Sequence, residues 1–361
     1  MSVRTKGFTF ALAGSLLAAG ALMPRDGHAQ EGRDGEVPRT PWGHPDLQGN
    51  WTNETITPIE RPEGLPLVLT EEQMAAIEAE RQALIDSAAA PSDPDRGAPA
   101  VGGEFTGDPL IDAASGGTGG YNYFWLDQGD RVAVWNGEAR SSLITFPEDG
   151  QIPDLTPEGQ ARRRELAMAG AKFGDFDNPE NRPLAERCIV SFGSNAGPPM
   201  LPNYFYNNNY TIVQTPDHVM IMTEMVHDNR IIRLGEPDPL PDDVRPWFGD
   251  SWGRWAGDTL VVETTNLPAE QLNGYRWFFG ASEDLKVTER FTRADESTIH
   301  YEFTVEDPKT WVSAWGGQVP FRKLDALLYE YACHEGNYAL ENVLRGARAE
   351  EAAEREGGSD R

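Results

Sequence analysis

Three apolar–turn–apolar units in succession constrain what this chain can fold into more than any other feature. Tyr210–Gln214 and His218–Met225 flank Thr215-Pro216-Asp217. Trp252–Trp255 and Thr259–Thr265 flank Ala256-Gly257-Asp258, and Lys286–Arg293 and Thr298–Val305 flank Ala294–Ser297. Runs rich in β-branched and aromatic residues, parted by turn formers, make β-hairpins. In the last unit Ile299, Tyr301, Phe303 and Val305 alternate with Thr298, His300, Glu302 and Thr304. Successive side chains on a strand point to opposite faces, so this alternation describes a sheet with one dry and one wet face. Such an antiparallel meander has strands enough to close on itself, and closure removes the exposed edges. The expected fold is mainly β: a meander closing into a lipocalin-like (calycin-like) barrel, with added helices, long loops and a C-terminal helix.

Helical signals are fewer. Thr70 with Gln73 three residues on has the capping-box spacing, followed by an apolar stripe of Met74, Ile77, Leu84 and Ile85. Thr156-Pro157 places proline at the favoured first position of a second helix. Leu340, Val343, Leu344 and Ala347 form one stripe of a terminal helix. Residues 88–120 read as a long loop, and Trp42 to Trp51 as a turn leading into a first strand. No linker interrupts residues 121–346. Residues 42–349 are therefore expected as a single barrel-like domain, between a polar linker over 30–41 and a charged, disordered tail over 350–361.

The first 29 residues have a basic start, an apolar run from Phe8 to Met23, and Ala29 as a small residue at the cut. That is the pattern of a secretory signal peptide, and the run is shorter than the roughly 20 apolar residues of a membrane anchor. The mature chain is expected to be soluble and periplasmic or secreted. The charge of the full sequence excludes a polyanionic partner: 31 Lys+Arg against 58 Asp+Glu give −27. Nucleic acid and anionic membrane surfaces both need a basic footprint. Cys188 and Cys333 are the only cysteines. In an oxidising compartment they most simply form one disulfide, with a reactive thiol or a metal-ligand pair as alternatives.

Three motifs in order, Pro45-Asp46-Leu47-Gln48-Gly49-Asn50-Trp51, Gly253-Arg254-Trp255-Ala256-Gly257-Asp258-Thr259-Leu260-Val261-Val262-Glu263-Thr264 and Tyr331-Ala332-Cys333-His334-Glu335-Gly336-Asn337-Tyr338, span nearly the whole mature chain. In these the sequence resembles a large group of exported, mostly uncharacterised bacterial proteins. The Gly49-Asn50-Trp51 start and the terminal helix after a meander also resemble lipocalin-type barrels. The first resemblance implies export, and the second a barrel. Neither implies an activity.

The stretch His218 to Leu234 is the most informative for chemistry. As one strand it puts Met220, Met222, Glu224 and Asp228 on one face, and Val219, Ile221, Thr223, Met225 and His227 on the other. Glu224 then lies among apolar groups, where burial disfavours a charged carboxylate unless a cation such as Arg230 or Arg233 compensates. It is either a catalytic carboxyl or one half of a structural Glu–Arg pair. His227-Asp228 is the best imidazole–carboxylate candidate, since imidazole serves as acid or base near neutrality. His334, beside Cys333, is either a binding residue or part of a helix cap. His300 is expected on the wet face, and His44 in a structural turn.

Aromatic clusters are the second signal: Tyr121, Tyr123, Phe124 and Trp125; Tyr204, Phe205, Tyr206 and Tyr210 among Asn203, Asn207, Asn208 and Asn209; Tyr275, Trp277, Phe278 and Phe279; and Trp247, Trp252 and Trp255. They suit a flat or ring-shaped ligand, or simply fill a wide barrel. Gly249-Asp250-Ser251-Trp252-Gly253 has the letters of a nucleophile elbow without its strand–turn–helix context. No paired-histidine spacing suggests zinc, and no βαβ pattern with a glycine-rich turn suggests a nucleotide. No cofactor or metal is expected, with calcium on scattered carboxylates left open.

The expected function is a cofactor-independent enzyme cleaving a C–O bond, by hydrolysis or elimination, in an aromatic or ring-shaped small molecule. An aryl ether of the lignin type fits the aromatic lining and the export signal. Glu224, His227 and Asp228 would move protons and Arg254 would neutralise a developing oxyanion. Tyr204, Tyr206, Asn208, Trp252, Trp255 and His334 would hold the substrate. A non-catalytic carrier of an aromatic or apolar ligand, and a carbohydrate-active hydrolase or lyase, are the alternatives.

Overall fold

The structure, a computed structural model, describes residues 37–89, 128–193, 197–274 and 277–358. The expected signal peptide, most of the linker, the 90–120 loop, the Tyr121–Trp125 cluster and Tyr275 lie outside the described residues. The strands are β1 (Gly49–Thr52), β2 (Val134–Trp135), β3 (Glu138–Ala139), β4 (Ile144–Phe146), β5 (Asn209–Gln214) and β6 (His218–Thr223). They continue with β7 (Asn229–Leu234), β8 (Asp250–Ala256), β9 (Thr259–Thr265), β10 (Lys286–Arg293), β11 (Thr298–Glu306) and β12 (Trp315–Lys323).

β1 and β5 to β12 follow one another around a closed nine-strand barrel, sealed where β1 pairs with β12 through Trp51 and Lys323. The three hairpins expected from the sequence are β5–β6, β8–β9 and β10–β11. The barrel is mixed, however, because β7 and β8 run parallel. Their connection, residues 235–249, contains Pro237, Pro239, Pro241 and Pro246, which cannot donate to a ladder. It carries the chain back to the starting end before β8 begins. β4 adds to β12 from outside, over Gly316 and Gly317. A Cβ on Gly317 would lie 2.0 Å from the Leu143 carbonyl oxygen, so only glycine permits this approach.

The interior is filled. Ile299, Tyr301, Phe303 and Val305 are all buried, as the alternation predicts. Tyr210 stacks on Phe321 at 5.2 Å, Tyr301 lies 5.3 Å from Phe321 and Phe291 lies 4.9 Å from Tyr301. The aromatics of this barrel are a packed core, not the lining of a cup. Its two ends differ. Tight turns at 215–217, 257–258 and 294–297 close one end; the long connections, with residues 197–208, 224–228 and 266–284 among them, cover the other.

The helices are α1 (Glu71–Ala89), α2 (Pro157–Gly170), α3 (Ala269–Gly274) and α4 (Ala339–Gly358). The α1 capping box is reciprocal: the Gln73 N–H donates to the Thr70 hydroxyl at 3.2 Å, and the Thr70 N–H to the Gln73 side chain at 2.9 Å. Thr156 caps α2 through the Gly159 N–H at 3.0 Å. α4 runs on to Gly358, so residues 350–358 of the expected disordered tail are helical. Glu341–Arg345 at 2.5 Å and Arg348–Glu351 at 2.6 Å are pairs on one helix face, which support a helix rather than break it.

After β12 the chain returns along the outside of the barrel as a strap. Leu324 N–H donates to the Asn50 carbonyl at 2.9 Å, and the Asn50 amide to the Ala326 carbonyl at 2.7 Å. The strap ends at the long-loop end, where Cys333 forms a disulfide with Cys188, as expected, with Cα atoms 5.7 Å apart.

Candidate functional site

The single strand expected from His218 to Leu234 is in fact broken. β6 stops at Thr223, and a tight turn reverses the chain before β7 starts at Asn229. Within it Val226 (φ 58°) and His227 (φ 49°) both adopt left-handed conformations. For a β-branched residue that conformation costs of order 1–3 kcal/mol. Its result is that Glu224, His227 and Asp228 gather at one corner of the barrel rim instead of alternating along a strand.

Glu224 is only 3% exposed, yet among the described residues no arginine pairs with it. Arg230 pairs with Glu289 at 2.7 Å, and Arg233 with Asp250. The Glu224 carboxylate accepts instead from the Asn209 amide at 2.7 Å and from the Tyr329 N–H at 2.6 Å. Both oxygens thus clasp the strap to the barrel, and Glu224 positions the site rather than reacting in it. Glu224→Ala is expected to lose about 1–3 kcal/mol, the loss of two hydrogen bonds to a charged group. Limited proteolysis should then cut faster around Leu327 and Tyr329, which are 87% and 72% exposed. An unchanged cleavage rate would contradict this role.

His227 Nδ1 lies 3.0 Å from the Tyr331 carbonyl oxygen. A carbonyl only accepts, so Nδ1 carries a proton, and in the neutral ring Nε2 then holds the lone pair. The strap also brings His334 over, its ring centroid 6.4 Å from that of His227. Both imidazoles are exposed. Asp228 is half-buried, and its Oδ2 has no hydrogen-bond partner. Burial pushes its carboxyl up to about 7, opposed only by a backbone N–H bond from Ser191.

The residue after Ser191 is Phe192, 43% exposed and edge-on to Phe205 and Tyr206 at 6.1 and 5.8 Å. Phe205 and Tyr206 are in turn 4.4 Å apart. An aromatic cluster, exposed at Phe192, therefore follows directly in sequence on the Ser191 N–H that bonds Asp228. Tyr206 is half-buried in this cluster. Tyr204 and Asn208, expected to hold substrate, are engaged within the protein: the Tyr204 hydroxyl donates to the Thr57 carbonyl at 2.7 Å, and burial raises the pKa of its phenol. Asn208 is buried, accepting the Asn203 N–H at 3.0 Å on its side chain and the Asn53 N–H at 3.1 Å on its carbonyl. The asparagines of this loop fold its turns rather than line a pocket: Asn203 Oδ1 accepts from the Phe205 and Tyr206 N–H groups at 2.8 and 3.2 Å.

Arg254, Trp252 and Trp255 are at the wrong end for this chemistry. Arg233, near the end of β7, pairs in register with Trp252, whereas Asp228 precedes its start. Six strand residues rise about 20 Å. Arg254 is exposed and lies 3.6 Å from Glu263. Trp252 is covered by Arg233 at 4.0 Å, and Trp255 by a parallel His44 ring at 4.6 Å, beside a cleft of about 490 Å³. Of the remaining features, His300 is not simply solvated. It stacks at 4.0 Å on Trp135 of the β2–β3 hairpin, and burial lowers its pKa. Ser251 lies on a strand, hydrogen-bonded to Thr264 at 2.9 Å, with no elbow.

The chain matches no family model, no curated protein and no solved structure. What the site can do rests on its own geometry. Sequence reasoning missed Ser191, Phe192 and Tyr331. The signal that locates them is the cysteine pair, which joins residues 188–192 to residues 331–334 once it is bonded.

Proposed function

We propose that the protein is an exported enzyme that cleaves a C–O bond in an aromatic small molecule by general acid–base catalysis at the strap-covered rim. An aryl ether is the substrate class this reading favours. The observation that carries it is Asp228, a half-buried carboxyl with an unpartnered oxygen and a pKa of about 7, bonded by the backbone N–H of Ser191, the residue before the exposed Phe192. Protonated, it can donate to a leaving oxygen, while the free Nε2 of His227 takes a proton from water or from an acidic C–H. Phe192 and the half-buried Tyr206 offer surface for an aromatic ring. The filled barrel favours this reading over a carrier, which needs a closed apolar cavity. The two tryptophans whose faces are covered by His44 and Arg233 speak against a sugar platform there. The disulfide accords with export. Among the described residues no helix is long and apolar enough to cross a membrane.

The test is a mass-spectrometric screen of aryl ethers and oligosaccharides with the wild type and Asp228→Asn. Loss of an acid–base group should lower turnover of an aryl ether by about 10²–10⁴-fold. The pH profile of kcat/KM should contain a limb with a midpoint near 7 that Asp228→Asn removes. The stability sign is fixed as well. Between the ordinary value of 3.8 and about 7 the folded chain holds a proton that the unfolded chain has lost. The contribution of Asp228 is therefore full below that window and disappears as pH rises through it. Full turnover by Asp228→Asn, or a pH profile it leaves unchanged, would overturn the assignment.

A further inference from the structure

A cleft of about 350 Å³ shares no lining residue with the acid–base site. Among its walls are Glu60, Asp154, Leu155, Arg163, Trp277 and Trp311. The backbone around it is tied together. Residues 154–156 run beside 310–312: Val312 N–H donates to the Asp154 carbonyl at 2.9 Å and Thr156 N–H to the Thr310 carbonyl at 2.9 Å, while Leu155 bridges Trp311. Glu60 holds a further wall by accepting the Ile152 N–H at 3.1 Å. The cleft is thus part of the fold, formed before anything enters it, as ligand sites usually are.

Three charges line it without meeting. Arg163, on α2, is half-buried, and its Nε donates to the Phe279 carbonyl at 2.7 Å. Its stem lies against Gly280, where a Cβ would come within 2.5 Å of Arg163 Cγ. The side chain is therefore anchored. Yet among the described residues neither Nη1 nor Nη2 has a hydrogen-bond partner, and no carboxylate pairs with the guanidinium. Burial lowers its pKa, with no acid acting against that. Where acids outnumber bases 58 to 31, a fixed arginine without an ion pair requires a reason. The carboxylates of the cleft are open as well: one Glu60 oxygen accepts no hydrogen bond among the described residues, and Asp154 is exposed without an ion pair. The aromatic wall adds Trp311, 1% exposed with its indole Nε1 unpartnered, and the half-buried Trp277.

A ligand that answers all three charges must carry an anion and a cation at once. A simple anion would suit Arg163 but would meet two carboxylates. A metal ion or a plain amine would suit the carboxylates but would meet the guanidinium. The head group of an α-amino acid has both charges one carbon apart, and its carboxylate matches the parallel N–H groups of a guanidinium. An apolar side chain then has the indoles of Trp277 and Trp311 to pack on. A volume of about 350 Å³ is at the small end for ligand sites, which suits a single amino acid and excludes a polymer. We propose that this cleft binds a free α-amino acid with an apolar or aromatic side chain, its carboxylate on Arg163 and its ammonium facing Glu60 and Asp154. The inference stands independently of the acid–base reading.

Isothermal titration calorimetry at neutral pH tests it with three probes. They are L-phenylalanine; 2-phenylethylamine, which lacks the carboxylate; and 3-phenylpropanoate, which lacks the ammonium. The wild type should bind L-phenylalanine at least about tenfold more tightly than either half, a difference of about 1.4 kcal/mol. In Arg163→Met the advantage over 2-phenylethylamine should vanish. In Glu60→Gln with Asp154→Asn the advantage over 3-phenylpropanoate should vanish, while a glutamine at position 60 can still accept the Ile152 N–H. Circular dichroism establishes that each variant is folded. No binding of L-phenylalanine to the wild type, equal binding of L-phenylalanine and either half, or an advantage that survives in the variants overturns the proposal. Tightest binding of 3-phenylpropanoate overturns it too, and makes the cleft a plain anion site. Aryl-ether turnover is no part of this readout, so the acid–base reading stands or falls separately.

Discussion

Glu289→Ala is expected to destabilise the protein by about 3–5 kcal/mol, because it leaves Arg230 charged and alone inside the barrel. Glu289 has no exposed surface, and its two oxygens are the partners of Arg230 at 2.7 Å and Tyr301 at 2.8 Å. Burial, with the Glu289 charge adding to it, holds the Tyr301 phenol protonated and so able to donate. Removing the carboxylate strands two donors and a cation in one step. Removing the pair is a different matter. Charges taken out of water repay little more than their desolvation, so the double replacement Arg230→Met with Glu289→Leu should recover most of the loss. Urea denaturation of the two variants, read as midpoint shifts at constant slope, measures the difference. A single variant no less stable than the double would show that the network contributes no mutual dependence.

The second large effect is the disulfide. Cys188 and Cys333 are 145 residues apart in sequence. In the chain-entropy model a bridge of that span restricts the unfolded chain by up to about 5 kcal/mol, with 2–4 the usual yield. Cys188→Ser with Cys333→Ser should therefore lower the urea midpoint clearly, and reductant should do the same to the wild type. The local consequence is sharper than the global one. Without the bridge, the distal strap depends on Tyr329 N–H to Glu224, His227 to Tyr331 and the Asn337 amide to the Glu186 carbonyl at 3.1 Å. His334 would lose its fixed place near His227, and under the proposed acid–base function turnover should fall further than the stability change accounts for. An unaltered midpoint in reductant would refute the expected contribution.

Much of the barrel is written in short-range signals. The alternation Ile299-Tyr301-Phe303-Val305, the turn residues at 215–217 and 257–258, and the Thr70–Gln73 cap each act over a few residues. Strand period, turn chemistry and helix capping are local physics, so the hairpins and helix starts could be placed without a tertiary context. The closure through Trp51 and Lys323 was legible only as a demand, since unpaired edges must go somewhere. The parallel β7–β8 pairing was not legible at all, because nothing in residues 235–249 fixes the direction in which the next strand returns.

At the site the division is cleaner. The sequence by itself determined that Glu224, His227 and Asp228 lie within five residues among apolar groups, and that two cysteines were available to bridge. Only the tertiary structure decided their roles. Met220 to Met225 reads as an unbroken strand, and the left-handed turn at Val226 and His227 costs energy that no local preference would supply. Packing at the rim imposes it. The same packing turns Glu224 into a clasp for the strap, leaves Asp228 without a cation, and removes Arg254 and both tryptophans to the far end. Hydrogen-bond partners 59 to 105 residues apart, such as Arg230 with Glu289 and Glu224 with Tyr329, set those roles. Charge and burial depend on what surrounds a group in space, and a linear pattern carries that information only where neighbours in sequence are neighbours in the fold.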